Sequence, residues 1–226
     1  MVDSEIGRYA VIVTHNRHEL LRRCVDHMIH QVDFILIIDN ASNPPVDEWE
    51  YPGRAKVVFR ALQPPNLSLF WNEGLRYVKE LAGARQHIAW DVAILNDDAA
   101  PPPGWFVTVS DAMRKHGCHA GCSSGTGSVE HVQVHGPEAI PSVSTRLTGW
   151  AFILRGESDL RADCTMQWWC GDDDLSMQAR KKGGLVMVGG LPVPNDLADT
   201  TTVGVLAEQS AKDVQRFVDK WGLRPW

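Results

Sequence analysis

Residues 9–17 read Tyr-Ala-Val-Ile-Val-Thr-His-Asn-Arg, an apolar run of strand length that ends in a polar cluster. The same arrangement occurs twice more: Asp-Asn-Ala-Ser at 39–42 follows the apolar run 34–38, and Asn-Asp-Asp at 96–98 follows 92–95. Continuous apolar runs of this length are typical of parallel strands buried on both faces. Because ligands bind beyond the carboxyl ends of such strands, the sequence predicts one site assembled from three distant segments.

The composition is that of a globular protein. The 226 residues are 44% hydrophobic and 22% charged. No apolar run approaches the ~20 residues of a membrane span, so we expect no membrane span and a cytoplasmic protein. Five cysteines are an odd number in a chain of this size, which favours free thiols. The net charge of −6 argues against stable nucleic-acid binding, which requires clustered lysine and arginine.

Strand and helix patterns alternate along the chain, which indicates an α/β fold with a mostly parallel central sheet and a more irregular second half. Apolar spacings of three and four identify the helices. The predicted strands are 9–14, 34–39, 56–61, 92–95 and 185–188. The predicted helices are 19–29, 72–81, 105–115, 174–182 and 208–221.

Asn96, Asp97 and Asp98 form the polar end of the predicted strand 92–95. Two carboxylates and an amide are hard oxygen ligands for Mg²⁺ or Mn²⁺, which commonly complete their coordination with substrate phosphates and water. The alternative is structural, since asparagine and aspartate are frequent in turns and a run of prolines follows at 101–103. The residues by themselves favour neither alternative.

Asp172, Asp173 and Asp174 form a second acidic run at the start of a predicted helix. Capping of that helix and interaction with its positive end would account for Asp173 or Asp174. Capping does not account for all three, because adjacent like charges raise one another's pKa and cost stability. Such a local conflict is typical of a site where a carboxylate acts as a base.

Six short motifs follow one another between residues 9 and 195. They are residues 11–17, 39–42, 66–68 with 72–74, 95–98 with 103–105, 149–152, and 168–175. In this order and spacing they resemble the motifs of family 2 glycosyltransferases with the GT-A fold. The resemblance implies a Rossmann-like α/β/α sandwich in a single domain over residues 1–226. Residues 1–98 would form the nucleotide-binding half, 99–200 the acceptor and catalytic half, and 205–226 a C-terminal helix.

The resemblance implies a nucleoside-diphosphate sugar as donor, and we expect a UDP-sugar. Asp39 would hydrogen-bond the base or ribose, while Ser68 and Asn72 would lie near the diphosphate or the donor sugar. The residues implied to bind the nucleotide or donor are Thr14, Asn16, Arg17, Asp39, Ser68, Asn72 and Asp97.

The resemblance also implies Mn²⁺ or Mg²⁺ as cofactor, bound by Asp98 with Asp97 beside it. The chain departs from the family at Asn96, where aspartate is frequent. A second departure is Asn195, followed by Asp196, at the position where many members place a histidine that binds the metal. An amide coordinates a metal without adding charge, so a lower metal affinity is expected, and whether Asn195 or Asp196 is the ligand stays open.

The resemblance places Gly149 and Trp150 at the wall of the donor sugar and acceptor, and the flat faces of Trp168 and Trp169 are further candidates for sugar contacts. Alignment without a gap assigns the catalytic base to Asp172, and a shift by one residue assigns it to Asp173. The implied reaction is a single displacement that inverts the anomeric centre, with this aspartate accepting the proton of the attacking hydroxyl. The acceptor would be a glycan, a glycolipid or a protein.

Other functions fit the residues less well. A nucleotidyltransferase would carry a glycine-rich loop after the first strand, and a haloacid-dehalogenase-like phosphatase would carry an aspartate nucleophile there; residues 14–17 contain neither. The alternative that remains is a catalytically silent nucleotide-sugar or glycan-binding module of the same fold, because Asn96 and Asn195 replace expected metal ligands. The C-terminal helix is expected to serve packing or a homodimer interface.

Overall fold

A computed structural model describes residues 6–47, 53–124, 131–138, 145–195 and 204–225. Within these ranges the strands are β1 (Gly7–Thr14), β2 (Phe34–Asn40), β3 (Ala55–Arg60), β4 (Trp90–Asn96), β5 (Ala120–Ser123), β6 (Gln133–His135), β7 (Ala151–Arg155) and β8 (Leu185–Val188). The α-helices are α1 (His18–Met28), α2 (Leu67–Ala84), α3 (Trp105–Lys115), α4 (Gly171–Lys182) and α5 (Gly204–Trp221).

All of these strands belong to one sheet with the order β3-β2-β1-β4-β7-β5-β8-β6. The first four strands in this order run parallel, and β5 pairs with β8 in parallel. Strands β7 and β6 run antiparallel to their neighbours. The predicted α/β class, the mostly parallel sheet and the irregular second half are therefore confirmed. In the register of the sheet Thr14 pairs with Asp39, and Val13 pairs with Asn96, so three polar strand ends meet at one edge.

Helices cover both faces of this sheet. Because successive side chains of a strand point to opposite faces, β1 places Ile12 in a core with α1 and α3, and Val11 in a core with α2 and α4. Trp105 is fully buried in the first core, and Leu175 is fully buried in the second. Burial on both faces explains why these strands read as continuous apolar runs. The result is the α/β/α sandwich that the sequence predicts.

Helix α2 begins before residue 72, where the sequence pattern placed its start. The side chain of Asn66 accepts a hydrogen bond from Leu69 N over 2.9 Å and so caps the helix at an earlier turn. The helix then packs closely on β1, since a Cβ atom at Gly74 would lie 2.4 Å from Val11 Cγ1.

Helix α4 also begins earlier than predicted, at Gly171, so Asp172, Asp173 and Asp174 all lie inside its first turn. The expectation that Asp173 or Asp174 caps this helix is wrong. The N-cap position is Cys170, which has a φ of 63° and makes no side-chain capping hydrogen bond. The start of α4 is therefore held by contacts from elsewhere in the molecule.

The five cysteines all fall within the described ranges, and each is a free thiol, as predicted. In the part of the chain that the structure describes, no helix has both the length and the apolar surface needed to traverse a bilayer.

Candidate active site

The carboxyl ends of β1 and β4 carry a hydrogen-bonded cluster of Thr14, Arg17, Asp97 and Asp98. Thr14 Oγ1 donates to Asp97 Oδ2 over 2.8 Å. Arg17 Nη1 lies 3.3 Å from Asp97 Oδ1 and 3.4 Å from Asp98 Oδ2. Burial raises the pKa of the Asp97 carboxyl, while Thr14 and Arg17 act against that rise. The partly exposed guanidinium of Arg17 thus contacts two adjacent carboxylates at the end of the sheet.

Hydrogen bonds join the loop after β1 to the loop after β2. Asn16 N donates to Ser42 Oγ over 2.8 Å, and Asn16 Oδ1 accepts from Asn43 N over 2.7 Å. Asp39 is fully buried and accepts from Ser42 N over 3.0 Å and from Val46 N over 2.9 Å. Asp39 therefore shapes this loop, and its contact with a base or ribose stays a prediction.

Asn96, Trp150 and Asn195 lie on three segments that meet beside this cluster. Asn96 N donates to the Trp150 carbonyl over 2.9 Å. Segment 193–195 contacts both the Trp150 side chain and the chain just after Asp98. Trp150 Nε1 donates to the carbonyl of Val193 over 2.9 Å, and Ala100 N donates to the carbonyl of Pro194 over 2.9 Å. Asn195 directly follows Pro194, whose carbonyl binds the backbone two residues after Asp98. Asp196 lies outside the described residues.

A metal site built from protein ligands alone is absent from the described residues, which contain no group of three or more His, Cys, Asp or Glu side chains suited to one ion. Asp97 and Asp98 are two carboxylates, each 5% exposed, with the amides of Asn96 and Asn195 on adjoining segments. Mg²⁺ is usually bound by one or two carboxylates that share it with substrate phosphates. The donor set therefore fits an ion completed by a diphosphate and does not fit an all-protein cage.

Asp172 lies against Gly149, and Gly149 is two residues before the start of β7. A Cβ atom at Gly149 would lie 2.7 Å from Asp172 Oδ2, so glycine leaves the space that the carboxylate occupies. Asp172 is partly exposed, whereas Asp173 is 4% exposed and Asp174 is fully buried. Gly149 precedes Trp150, whose carbonyl binds Asn96 N. Asp172 and the Asp97–Asp98 turn are thus brought to the same edge of the sheet, where β4 and β7 adjoin.

Arg146 pairs with Asp173, its Nη1 lying 3.2 Å from both carboxylate oxygens. Burial raises the pKa of Asp172 and of Asp173, and the neighbouring Asp172 raises that of Asp173 further. Arg146 acts against both rises. Of the two candidates for the base, Asp173 is ion-paired and buried, while Asp172 is the more open.

Asp174 connects α4 to α5 and does not face the site. Its Oδ1 accepts from Trp221 Nε1 over 3.0 Å and lies 2.8 Å from Lys220 Nζ. Its Oδ2 accepts from Gln178 Nε2 over 2.8 Å. The third aspartate of the run therefore has a structural role.

Ser68 and Asn72, predicted near the diphosphate or the donor sugar, hold the loop 162–167 against α2. Ser68 Oγ donates to the Met166 carbonyl over 2.6 Å. Asn72 accepts from Ala162 N over 2.9 Å and donates to its carbonyl over 2.8 Å. Ser68 also lies at the start of α4, because a Cβ atom at Gly171 would be 2.7 Å from its Oγ. Both side chains are engaged with backbone, and their contact with a donor stays a prediction.

The tryptophans near the site have different surroundings. Trp150 uses its indole N–H on a backbone carbonyl, and Trp169 packs with Phe217 and Trp221 of α5. The indole N–H of Trp168 is buried and meets no acceptor among the described residues. A buried indole N–H usually has a hydrogen-bond partner. Trp168 is therefore one of the tryptophans whose indole N–H lacks a partner among the described residues.

Two residues near the site lie outside the sequence motifs. Arg146 is the first of them, although three adjacent carboxylates indicate that a cation lies nearby. Trp71 is the other. It packs edge-on against Phe152, with ring centroids 5.5 Å apart, and its buried indole N–H also lacks an acceptor among the described residues. Nothing in the sequence distinguishes Trp71 from an ordinary core residue.

A cleft of about 740 Å³ opens beside α2 and the end of β3, and Asn72, predicted near the diphosphate or the donor sugar, is among its lining residues. Its lining includes Arg60, Glu73 and Arg161 around Leu69, and does not include the Asp97–Asp98 turn or Asp172. Arg60 binds Glu73, and Arg161 Nη2 lies 3.0 Å from Asp159 Oδ1, so the basic groups of the cleft are compensated.

Solved structures of TarS from S. aureus have a similar architecture. TarS 1-349 in complex with UDP-GlcNAc superposes with a TM-score of 0.62 at 9% sequence identity, over 95% of this chain and 67% of that one. The fold is GT-A-like. The UDP complex of TarS 1-349 gives a TM-score of 0.59 at 8% identity, over 96% of this chain and 72% of that one.

The GT-A-like chain covers only part of other TarS structures, 59% of one structure of TarS 1-349 and 36% of a structure of TarS. At these identities the likeness extends to the fold alone. Neither a protein-family model nor a curated protein sequence matches the chain.

Proposed function

We propose that the chain is a family 2 glycosyltransferase that transfers a sugar from a nucleoside-diphosphate sugar to an acceptor hydroxyl. The observation that carries the proposal is the shared edge of the sheet, where Asp172 lies against Gly149 while Asp97 and Asp98 directly follow strand β4. The GT-A-like fold supports it. A UDP-sugar is the proposed donor, since the similar TarS structures hold UDP and UDP-GlcNAc.

The donor would lie over the ends of β1, β2 and β4. Thr14, Asn16 and Arg17 lie on this edge, and Asp39 fixes the loop that faces them. Asp98, with the amides of Asn96 and Asn195, would hold Mn²⁺ or Mg²⁺, which neutralises charge on the leaving diphosphate when bound. Arg17 adds a fixed positive charge at the same place.

Asp172 would act as the base. As the acceptor oxygen bonds to the anomeric carbon, its proton passes to the Asp172 carboxylate and the bond to the diphosphate breaks, so the nucleoside diphosphate leaves and the anomeric centre inverts. A raised pKa suits this role, because a base is most effective when its pKa approaches the working pH. Gly149, Trp150 and Trp168 would form the sugar wall, and the acceptor would be a glycan, a glycolipid or a protein.

One observation favours a second candidate, a silent nucleotide-sugar or glycan-binding module. Asn96 and Asn195 supply amides where the family supplies charged or imidazole ligands, and the described residues contain no metal-binding cluster of three. Such a module would bind the nucleotide tightly without turnover.

The proposal is tested with UDP and a panel of UDP-sugars in the presence and absence of Mn²⁺. We expect UDP with Mn²⁺ to raise the melting temperature, because a ligand of the native state stabilises it by mass action. We also expect slow release of UDP from the correct UDP-sugar, with water as acceptor. Asp98→Asn should remove the Mn²⁺-dependent part of the shift, while Asp111→Asn, at an exposed site on α3, should not. Binding without any turnover would support the silent module, and absence of binding to every nucleotide would contradict both.

A further inference from the structure

Helix α5 reaches the turn that precedes α4 through a single buried carboxylate. Asp213 is fully buried, and its Oδ2 accepts the backbone N–H of Trp168 over 2.7 Å and that of Trp169 over 2.9 Å. Two neighbouring N–H groups of one turn therefore point at one oxygen of a residue more than forty positions away.

The other oxygen of Asp213 is held as well. Its Oδ1 accepts from Gln209 Nε2 over 2.7 Å and from Arg216 Nη1 over 3.2 Å. Arg216 also donates to the carbonyl of Thr165, in the same loop. A buried carboxylate with partners on both oxygens has little freedom to move, so the N–H groups that it accepts are held in place.

Further contacts join α5 to the first turn of α4. Asp174 binds Lys220 and Trp221, and Phe217 packs with Met166 and Cys170 in a small core of its own. Helix α5 therefore contacts the segment 166–174 on both sides of Asp172 in the sequence.

The start of α4 needs such support because it lacks a cap of its own. Cys170 occupies the N-cap position in a left-handed conformation and offers no side-chain hydrogen bond to the helix. Without a side-chain cap, the first turn of a helix depends on other acceptors for its N–H groups, and here the Asp172 carboxylate accepts those of Asp172 and Asp173. Asp172 lies in this turn, and Trp168 lies just before it.

We propose that α5 is a positioning element of the active site and that Asp213 is the residue through which it acts. By accepting the N–H groups of Trp168 and Trp169, Asp213 fixes the turn before α4 and so the direction in which Asp172 faces Gly149 and the edge of the sheet. Asp213 touches neither the donor nor the acceptor in this proposal, so it is a positioning residue. The inference rests on the proposed function of Asp172.

The test compares Asp213→Asn with two controls. Val25→Ala opens the core under α1 and lowers stability without touching the turn, and Asp219→Asn changes an exposed carboxylate on α5. Well below the melting temperatures, we expect Asp213→Asn to lower kcat roughly 10- to 100-fold, since a misplacement of about 1 Å has effects of this size. Its affinity for UDP should stay within about twofold of the parent, because the nucleotide site lies on other segments. Both controls should keep kcat.

A second variant covers the case in which Asp213→Asn does not fold. Asp213→Glu keeps the charge and moves the carboxylate by one methylene, and it should lower kcat by a smaller factor with UDP affinity unchanged. A kcat equal to that of Val25→Ala at the same fraction folded would overturn the proposal, because it would reduce Asp213 to a stability residue.

Hydrogen exchange separates this inference from the proposed function. In whichever Asp213 variant folds, the peptide covering 166–172 should exchange faster, while the peptide covering 9–17 should not. Faster exchange together with a parent protein that turns over no nucleotide-sugar would support the role of Asp213 in holding the turn and would contradict the proposed function. Unchanged exchange at 166–172 would overturn the inference whatever the activity.

Discussion

The two acidic runs of the chain, at 96–98 and 172–174, look alike in sequence and differ in structure. Asp97 and Asp98 follow a strand, and both contact the one guanidinium of Arg17. The three aspartates of the second run occupy successive helical positions, which point about 100° apart. Each consequently meets a different group: Asp172 meets Gly149, Asp173 meets Arg146, and Asp174 meets Lys220.

The difference shows that adjacent carboxylates can bind the same group only where the backbone directs their side chains to the same place. The turn after β4 concentrates negative charge and needs a cation, which suits binding of an ion and a diphosphate. The first turn of α4 distributes its charges, so that Asp172 is partly exposed, Asp173 is ion-paired with Arg146 and Asp174 binds the C-terminal helix. Of the three, Asp172 is the one that reaches the surface, as a general base requires.

The largest effect that would sharpen this contrast is expected from Asp172→Asn. Removal of a general base lowers turnover by about 10² to 10⁴-fold, while UDP affinity and melting temperature should stay near those of the parent. Asp174→Asn should do the reverse. It weakens a buried contact to Lys220 and should lower the free energy of unfolding by about 2 to 3 kcal/mol, with turnover per folded molecule reduced much less.

Transfer assays with the correct UDP-sugar, isothermal titration with UDP and denaturant unfolding together distinguish the two variants. Equal turnover by Asp172→Asn would remove this residue from the mechanism. Equal losses of turnover in both variants would break the contrast within the second run.

The first run is tested next, through Arg17→Met. Without this guanidinium, two carboxylates that are each 5% exposed lose a charge that both contact, so the free energy of unfolding should fall by about 2 kcal/mol. Mn²⁺ supplies the missing positive charge and should raise the melting temperature of this variant more than that of the parent. Arg76→Met is the matched control, because Arg76 is 69% exposed and pairs only with Glu80 on its own helix among the contacts described.

An equal response to Mn²⁺ in Arg17→Met and the parent would mean that Arg17 and the metal do not act on the same carboxylates. A larger response in Arg76→Met than in Arg17→Met would contradict the local explanation altogether.

The contrast between the runs also explains what the sequence could predict. Strand ends were predictable, because a buried apolar run that stops at polar residues identifies both the strand and its edge of the sheet, and the register then brings Thr14, Asp39 and Asn96 together. The sandwich follows from the same runs, since burial on both faces requires helices on both sides.

Roles within the second run were not predictable, because they depend on where the helix begins. Local pattern starts α4 at residue 174, whereas the helix begins at Gly171 in the structure. Ser68 and Asn72 illustrate the same limit, since their hydrogen bonds go to a loop about ninety residues away. The acidic run indicates that a cation lies nearby, but nothing in the local sequence identifies Arg146 as that cation.

A smaller effect is expected from Gly149→Ala. The added Cβ would lie 2.7 Å from Asp172 Oδ2, so the carboxylate must turn aside, and kcat should fall about tenfold. Gly83→Ala on α2 is the matched control, because its Cβ meets no atom within 4 Å. This control should keep kcat and gain up to about 1 kcal/mol, as expected for alanine in place of glycine in a helix. Normal kcat in Gly149→Ala would show that Asp172 does not need its observed position.

The smallest effect concerns the pH dependence of Asp172 and its neighbour. Their pKa values are raised in the folded state, so they contribute stability below the unfolded aspartate pKa of about 4, and this contribution is lost as pH rises through the folded values. Asp173→Asn removes one of the two carboxyl groups whose deprotonation lowers stability. The free energy of unfolding should therefore fall less steeply with rising pH than in the parent.

Turnover should respond in the opposite sense. A base works in its deprotonated form, and a raised pKa places the acid limb of kcat above the range of an ordinary aspartate. Asp173→Asn removes the carboxylate that pairs with Arg146 and leaves Arg146 to act on Asp172, so the acid limb should move to lower pH, with less than a tenfold change at neutral pH. If the acid limb moves to higher pH, the two aspartates do not divide their roles as the structure indicates.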